Sequence, residues 1–307
     1  MSATAVPVRR RVQVRGELVH DLTLLTGPDE GFRLVLPQAL PTLVLRGGSA
    51  ERVDLLTGDR RPMGSVLCGP STRPWAVRDG RPVLVLRLRP EALDRLGVAD
   101  RRRLVDSTVP LDEVGLASLL DLLPVSVPEV PADAEVPGPT VPEVPADAEE
   151  PGPTALDGGA GARMPAGADD WVAQGAAIDA ALVGIAGPST PQTRLLRSRL
   201  AAAVGTILAE RGWVTTVEVA RAAQLPPFEL FRIVDEALGT GPEQLAAAQR
   251  WRCAVRDAVP ADAPPARVLS ALRDLVALPR VELERLGTDP GALTVVLRTA
   301  ARLLGLG

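Results

Sequence analysis

The chain has 307 residues, 46% of them hydrophobic, which is enough for two domains with cores of their own. It carries a formal net charge of -4, two cysteines and one histidine. Cys68 and Cys253 stand far apart in apolar stretches, which excludes a disulfide framework or a zinc cluster, and His20 alone excludes a histidine-rich metal centre or a pair of imidazoles for acid-base work.

No basic-then-apolar leader opens the sequence, and no apolar run approaches the ~20 residues of a membrane helix. The expectation is a cytoplasmic protein with no membrane partner, no metal and no cofactor. All 34 basic residues are arginine, as in proteins from GC-rich genomes. Their distribution is uneven: residues 1–120 hold 18 Arg against 14 Asp and Glu, residues 121–170 hold 1 against 11, and residues 171–307 hold 15 against 13. The two outer segments are therefore mildly basic, at +4 and +2, and the acidity lies between them.

Residues 1–120 read as a β domain. The runs "RRVQVRGEL", "FRLVLP", "TLVLRGG", "ERVDLLTG", "GSVLCGP" and "RPVLVLRLRP" are short, rich in valine and leucine, and separated by glycine and proline. That spacing predicts strands of a sandwich or barrel. Two helical patterns, "PEALDRLG" and "LDEVGLASLLDLL", close the domain.

Residues 121–170 form an acidic linker. It contains a tandem repeat, "VPEVPADAEVPGPT" and "VPEVPADAEEPGPT". Frequent proline forbids regular helix and like charges repel, so an extended, disordered chain is expected, spanning at most ~90 Å over the two repeats. The flexible stretch is expected to run to about Trp171. Such an anionic chain can compete with DNA for the arginines of its own helical domain, so removing residues 127–154 is expected to tighten DNA binding at low salt.

Residues 171–307 read as helical. "TRLLRSRLAAAVGTILAER" has apolar positions at helical spacing, and Thr215 to Glu218 has the capping-box form that opens a second helix. A third helix is predicted from Pro227 to Leu238, with Leu230, Ile233, Val234, Ala237 and Leu238 on one face and Gly239 ending it. Phe228, Arg232, Asp235 and Glu236 are expected to face outward.

An internal repeat organises this segment. "QLPPFELFRIVDEALGTGPEQL" (224–245) is echoed by "ALPRVELERLGTDPGAL" (277–293), and each copy follows an alanine- and leucine-rich helix. Two helix-turn-helix units in tandem are therefore predicted.

Two such units joined by "GPEQLAAAQRWRCAVRDAV" resemble the DNA-binding domain of AraC-type transcription regulators. Gly239, Pro242, Arg250 and Ala254 fit the end of the first unit and its connecting helix, and Gly287 with Pro290 fits the end of the second. "RLVLPQALPTLVLRGG", "CGPSTRP" and "LVLRLRPEALDRLGVADRRRLVDSTVPLDEV" are similar to the cupin-like sensor half of actinobacterial members. The resemblance covers roughly residues 10–120 and 190–307. It implies an α+β chain: a cupin-like β-barrel or sandwich for sensing and dimerisation, followed by an all-α DNA-binding domain.

The departures bear on DNA contact. Pro226 stands where the family has Ser at the start of the first recognition helix, and Val234 with Asp235 replaces a Phe-Arg pair. The second recognition helix, "PRVELERLG", is shorter than the first and lacks the family's aromatic turn. A second frame places it at "DPGALTVVLRTAARLLG", with Asp289, Leu293, Leu297 and Arg298 on family positions and Val295 where a basic residue is common.

On this reading Arg232 meets a guanine edge or a phosphate, Phe228 a thymine methyl, and Glu229 a cytosine amine. Arg221, Arg250, Arg252 and, on the second helix, Arg280 are candidates for phosphates, as are Thr215 and Thr216 at a helix N-terminus. Each has a plainer alternative. Arg232 can pair with Asp235 or Glu236 one turn away. Phe228 and Phe231 can pack on neighbouring helices. Trp251, Cys253 and Trp75 are expected in cores.

The expected partners are double-stranded DNA, a second copy of the chain, and a small-molecule or protein effector of the β domain. With a net charge of +2, the helical segment is expected to bind DNA modestly. An interaction protein that kept the fold, lost DNA recognition and pairs with another regulator is the competing reading. An enzyme is not expected. Glu51 and Asp54 lack any pattern that selects them, and no phosphate loop or nucleophile-base set is visible.

Overall fold

Alternating burial explains the strands. In the computed structural model the described residues are 8–14, 16–26, 32–46, 50–78, 83–122, 168–186, 191–260 and 263–305. Ten strands are present among them: β1 (Val8–Gln13), β2 (Val19–Thr26), β3 (Phe32–Val35), β4 (Thr42–Arg46), β5 (Ala50–Asp54), β6 (Arg60–Met63), β7 (Val66–Cys68), β8 (Trp75–Arg78), β9 (Val83–Leu88) and β10 (Thr108–Pro110). They make two antiparallel sheets, β1-β2-β9-β4-β7-β10 and β3-β8-β5-β6.

In β9, Leu84, Leu86 and Leu88 face one way and Val83, Val85 and Arg87 the other, the period of two that a strand imposes. The leucine face packs with Leu22, Leu24, Leu43 and Leu45. The valine face meets Val44, Val66 and Cys68 of its own sheet and Met63, Trp75 and Val77 of the second sheet. Burial pushes the Cys68 thiol up to about 12, so it stays protonated and inert at neutral pH.

Strands β2, β6, β8 and β10 lie outside the runs read as strands. In β2 the polar Asp21 and Thr23 alternate with Leu22 and Leu24, and all four are buried. "LDEVGLASLLDLL" is helical only at Ala117–Leu122, as a 3₁₀ turn. The amide of Leu116 instead bonds back to the carbonyl of Leu111 at 2.7 Å, a reach of five residues that an α-helix does not make. "PEALDRLG" contributes one helical turn, α1 (Ala92–Arg95).

Almost all of the acidic linker, both repeats included, lies outside the described residues. After it comes α2 (Ala168–Ile185), where flexible chain was expected as far as Trp171. This helix packs on β1 and β2, with Ile178 and Leu182 fully buried in the leucine core. The boundary drawn at residue 170 therefore falls inside a helix that belongs to the β domain. Local pattern identifies an apolar helix but does not say which surface it covers.

The remaining helices are α3 (Pro191–Ala209), α4 (Thr216–Ala222), α5 (Pro227–Leu238), α6 (Pro242–Ala258), α7 (Pro265–Val276), α8 (Arg280–Leu286) and α9 (Pro290–Leu303). The chain thus has an antiparallel β part followed by a helical part, as expected. Leu200, Val204 and Ile207 of α3 pack on Val219, Leu230, Val234 and Leu238, and Ala39 and Leu40 of the β domain join that core. Trp251, Val255, Leu272, Leu283 and Leu293 form a second core. Phe32, Val53, Leu55 and Ala76 of the second sheet are covered by Leu269, Val296, Ala300 and Ala301 of α7 and α9. No helix among the described residues is long and apolar enough to cross a membrane.

Candidate nucleic-acid interface

The first helix-turn-helix unit begins at Thr215, whose side chain accepts the Glu218 amide. The Glu218 carboxylate accepts from the Thr215 amide at 2.8 Å and from its hydroxyl at 2.7 Å. These bonds, the backbone one first, hold the Glu218 carboxyl below its ordinary range. The predicted capping box is present, and it occupies the Thr215 hydroxyl. The Thr216 hydroxyl donates to Glu243 at 3.1 Å, tying α4 to the start of α6. Both threonines thus hold the unit together.

Between α4 and α5 the chain turns through Gln224, whose φ of 54 is left-handed. The Leu225 amide returns to the Ala220 carbonyl at 2.9 Å. A turn of this kind often uses glycine; here Gln224 takes the left-handed position between the two predicted helices. Helix α5 has the predicted limits and the predicted buried face.

Its outer face mixes aromatic rings with paired charges. Phe228 is 75% exposed and Phe231 37%. Arg232 Nη1 lies 2.9 Å from Glu236 Oε2, and Nη2 lies 3.7 Å from Glu229 Oε1. The intrahelical alternative for Arg232 is therefore the observed arrangement. Phe228 is not packed away. Asp235, expected to face outward, is half-buried and forms an ion pair with Arg102 of the β domain. Arg101 donates to the Glu236 carbonyl and, at 2.8 Å, to Asp94, which also lies 3.7 Å from Arg197 on α3. Neither Arg101 nor Arg102 was singled out by sequence. The three-arginine run in "GVADRRRLVD" was the available signal.

The other candidates are placed as follows. Arg221 is exposed on α4. Arg250, expected at a phosphate, is turned inward. Its Nη1 donates to the Gly212 carbonyl at 2.7 Å, its guanidinium lies 5.5 Å from the centre of the Trp213 ring, and burial lowers its pKa. Arg250 therefore braces α6 against the corner between α3 and α4. Arg252 is half-buried on α6. Arg250 also lines a cavity of about 60 Å³ with Val214, Thr216, Val219, Pro242, Glu243 and Ala246, room for water rather than an effector.

The second unit repeats the element order of the first. Helices α5 and α8 both end in left-handed glycines, Gly239 with φ 74 and Gly287 with φ 76, and each is followed three residues later by the proline that opens the next helix. A side chain at either position is strained, which is why both copies keep glycine. Helix α8 spans 7 residues against 12 in α5. Arg280 is highly exposed and donates to Glu284 at 2.8 Å. The Glu284 bond raises the Arg280 pKa, and Arg280 stays a cation.

Helix α9, the alternative second reading helix, buries Val296, Ala300 and Ala301 against the second sheet. Val295, on another face of α9, is 40% exposed, and α8 exposes Val281 and Arg280.

No protein-family model and no curated protein matches the chain. Among solved structures the chain is similar to an apo ToxT variant from Vibrio cholerae, at 8% identity over 98% of this chain and 94% of that one, with a TM-score of 0.32.

Proposed function

We propose that this protein is a transcription regulator that binds double-stranded DNA through α4 and α5, with the β domain serving as effector-sensing and dimerising part. One observation carries the reading: the helix, turn, helix, left-handed glycine and proline-led helix of α4–α6 recurs in α7–α9. In the first copy the second helix presents Phe228, Phe231 and Arg232 outward. The Arg232 pairs are exposed intrahelical ones, each contributing about 0.3–0.5 kcal/mol, so the guanidinium is readily released to a base edge or phosphate.

Fluorescence anisotropy of the full chain against a duplex from the promoter of its own gene, over a series of salt concentrations, tests the proposal. Arg232→Ala is expected to weaken binding to that duplex by about tenfold relative to an unrelated one, the size of one good base contact. Equal affinities for the two duplexes in wild type and variant alike would remove the sequence-reading role.

A second reading, an interaction protein, is favoured by the composition of the same face. Trp213, Val217, Phe228 and Phe231 are exposed there, and α4 and α5 carry Arg221 and Arg232 against Glu218, Glu229, Asp235 and Glu236, two cations against four anions. Failure of every duplex to retain the protein at low salt would select it.

A further inference from the structure

The charge deficit of α5 has a counterpart in the other domain. We propose that the three-arginine turn Arg101–Arg103 of the β domain is part of the DNA-contacting surface: Arg102 cancels Asp235, and Arg103 supplies a phosphate contact that the reading helix lacks. The inference rests on the DNA-binding reading above and names further residues of that site.

Position comes first. The turn Arg101–Leu104 packs on the C-terminal end of α5. Arg101 is held by the carbonyls of Glu236 and Val98 and by Asp94, and a side-chain carbon at Gly239 would collide with the Arg101 carbonyl. The turn is thus fixed against the helix, with a cation at the helix end where the backbone dipole is negative. Asp235 follows Arg232 by three residues, which makes them neighbours on the helix surface. Arg102, paired to Asp235, therefore stands beside the face that carries Arg232.

Charge comes second. Helices α4 and α5 sum to -2, and Asp94 and Asp100 with Arg101, Arg102 and Arg103 sum to +1, so docking of the turn offsets part of a charge that would otherwise repel a duplex. Exposure comes third. Arg103 is 85% exposed, and its ion pair is with Asp100 three residues earlier, at 2.9 Å through Nε. Such a surface pair is weak and exchanges easily for a phosphate. Separating the β domain from α5 would uncover Asp235, so effector-driven undocking would weaken DNA binding.

The test uses the full chain with two labelled duplexes of equal length, one from the promoter of its own gene and one unrelated, titrated at several potassium chloride concentrations. Arg103→Ala is expected to reduce the slope of log affinity against log salt by about 0.9, the share of one phosphate. It should weaken both duplexes alike, because phosphate contacts carry no sequence information. Arg102→Ala is expected to weaken both several-fold, and Asp235→Asn in that background to restore them. Thermal unfolding of each variant, unchanged for Arg103→Ala, separates contact from folding. Wild-type slope and affinity in both arginine variants would overturn the inference while leaving the DNA reading in place. Absence of binding by the wild type to either duplex would overturn both.

Discussion

Replacing Asp179 by alanine is expected to lower the unfolding free energy by about 3–5 kcal/mol. The Asp179 side chain reaches from α2 to the start of β2 and accepts the amides of Glu17, Leu18 and Val19, each at 2.7 Å. The residue is 8% exposed, so alanine would leave the buried amides of Leu18 and Val19, and the half-buried one of Glu17, without an acceptor, each buried donor costing about 1–3 kcal/mol when unpaired. Such a loss corresponds to a fall in melting temperature on the order of 10 °C for a chain of this size. Asp179→Asn keeps one acceptor oxygen and is expected to cost about half as much. Urea unfolding followed by circular dichroism measures both. A loss below about 1 kcal/mol would show that Ile178 and Leu182 hold α2 without the carboxylate.

The second large effect lies between two neighbouring strands of the six-stranded sheet. Asp21 is fully buried on β2, directly opposite Arg87 on β9. Arg87 donates Nε to Asp21 Oδ1 at 2.9 Å and Nη2 to Oδ2, a forked pair whose arginine side chain is 15% exposed. Asp21→Ala strands a guanidinium among Val83, Val85 and their neighbours, and the expected cost is about 3–5 kcal/mol. The double replacement Asp21→Leu with Arg87→Met removes both charges and is expected to recover most of that loss, because an apolar pair of similar volume needs no desolvation. Thermal unfolding of the two variants decides the point. If the double variant is no more stable than the single one, the pair's value lies in packing rather than in charge.

Both replacements act in the β domain, yet their consequences reach the helical part, since Ala39, Leu40 and the second sheet contribute to its cores. Destabilising the β domain should therefore also loosen the seating of α5 on the arginine turn. The effector-sensing role proposed for the β domain has a physical route in that contact.

Local chemistry was legible without coordinates. The capping box at Thr215 and Glu218, the limits of α5, its five buried positions, and the left-handed glycines 239 and 287 all depend on interactions within a few residues of one another. The duplication of the helical unit was equally plain, because the two copies share the turn residues that end their helices. The acidic character of α5 was visible too.

What covers each face was decided only by tertiary structure. A helical period announces that one side is buried but does not identify the surface that buries it, so α2 was assigned to the wrong domain, and the packing of α9 on the second sheet was not foreseen. Buried charges are hidden for a related reason: nothing local pairs Asp21 with Arg87 until the fold brings their strands side by side. The pairing of Asp235 with Arg102 joins residues 133 apart in sequence. No local propensity encodes such a contact. It exists because the β domain folds its arginine turn onto the C-terminal end of α5, where Arg102 meets the carboxylate of Asp235.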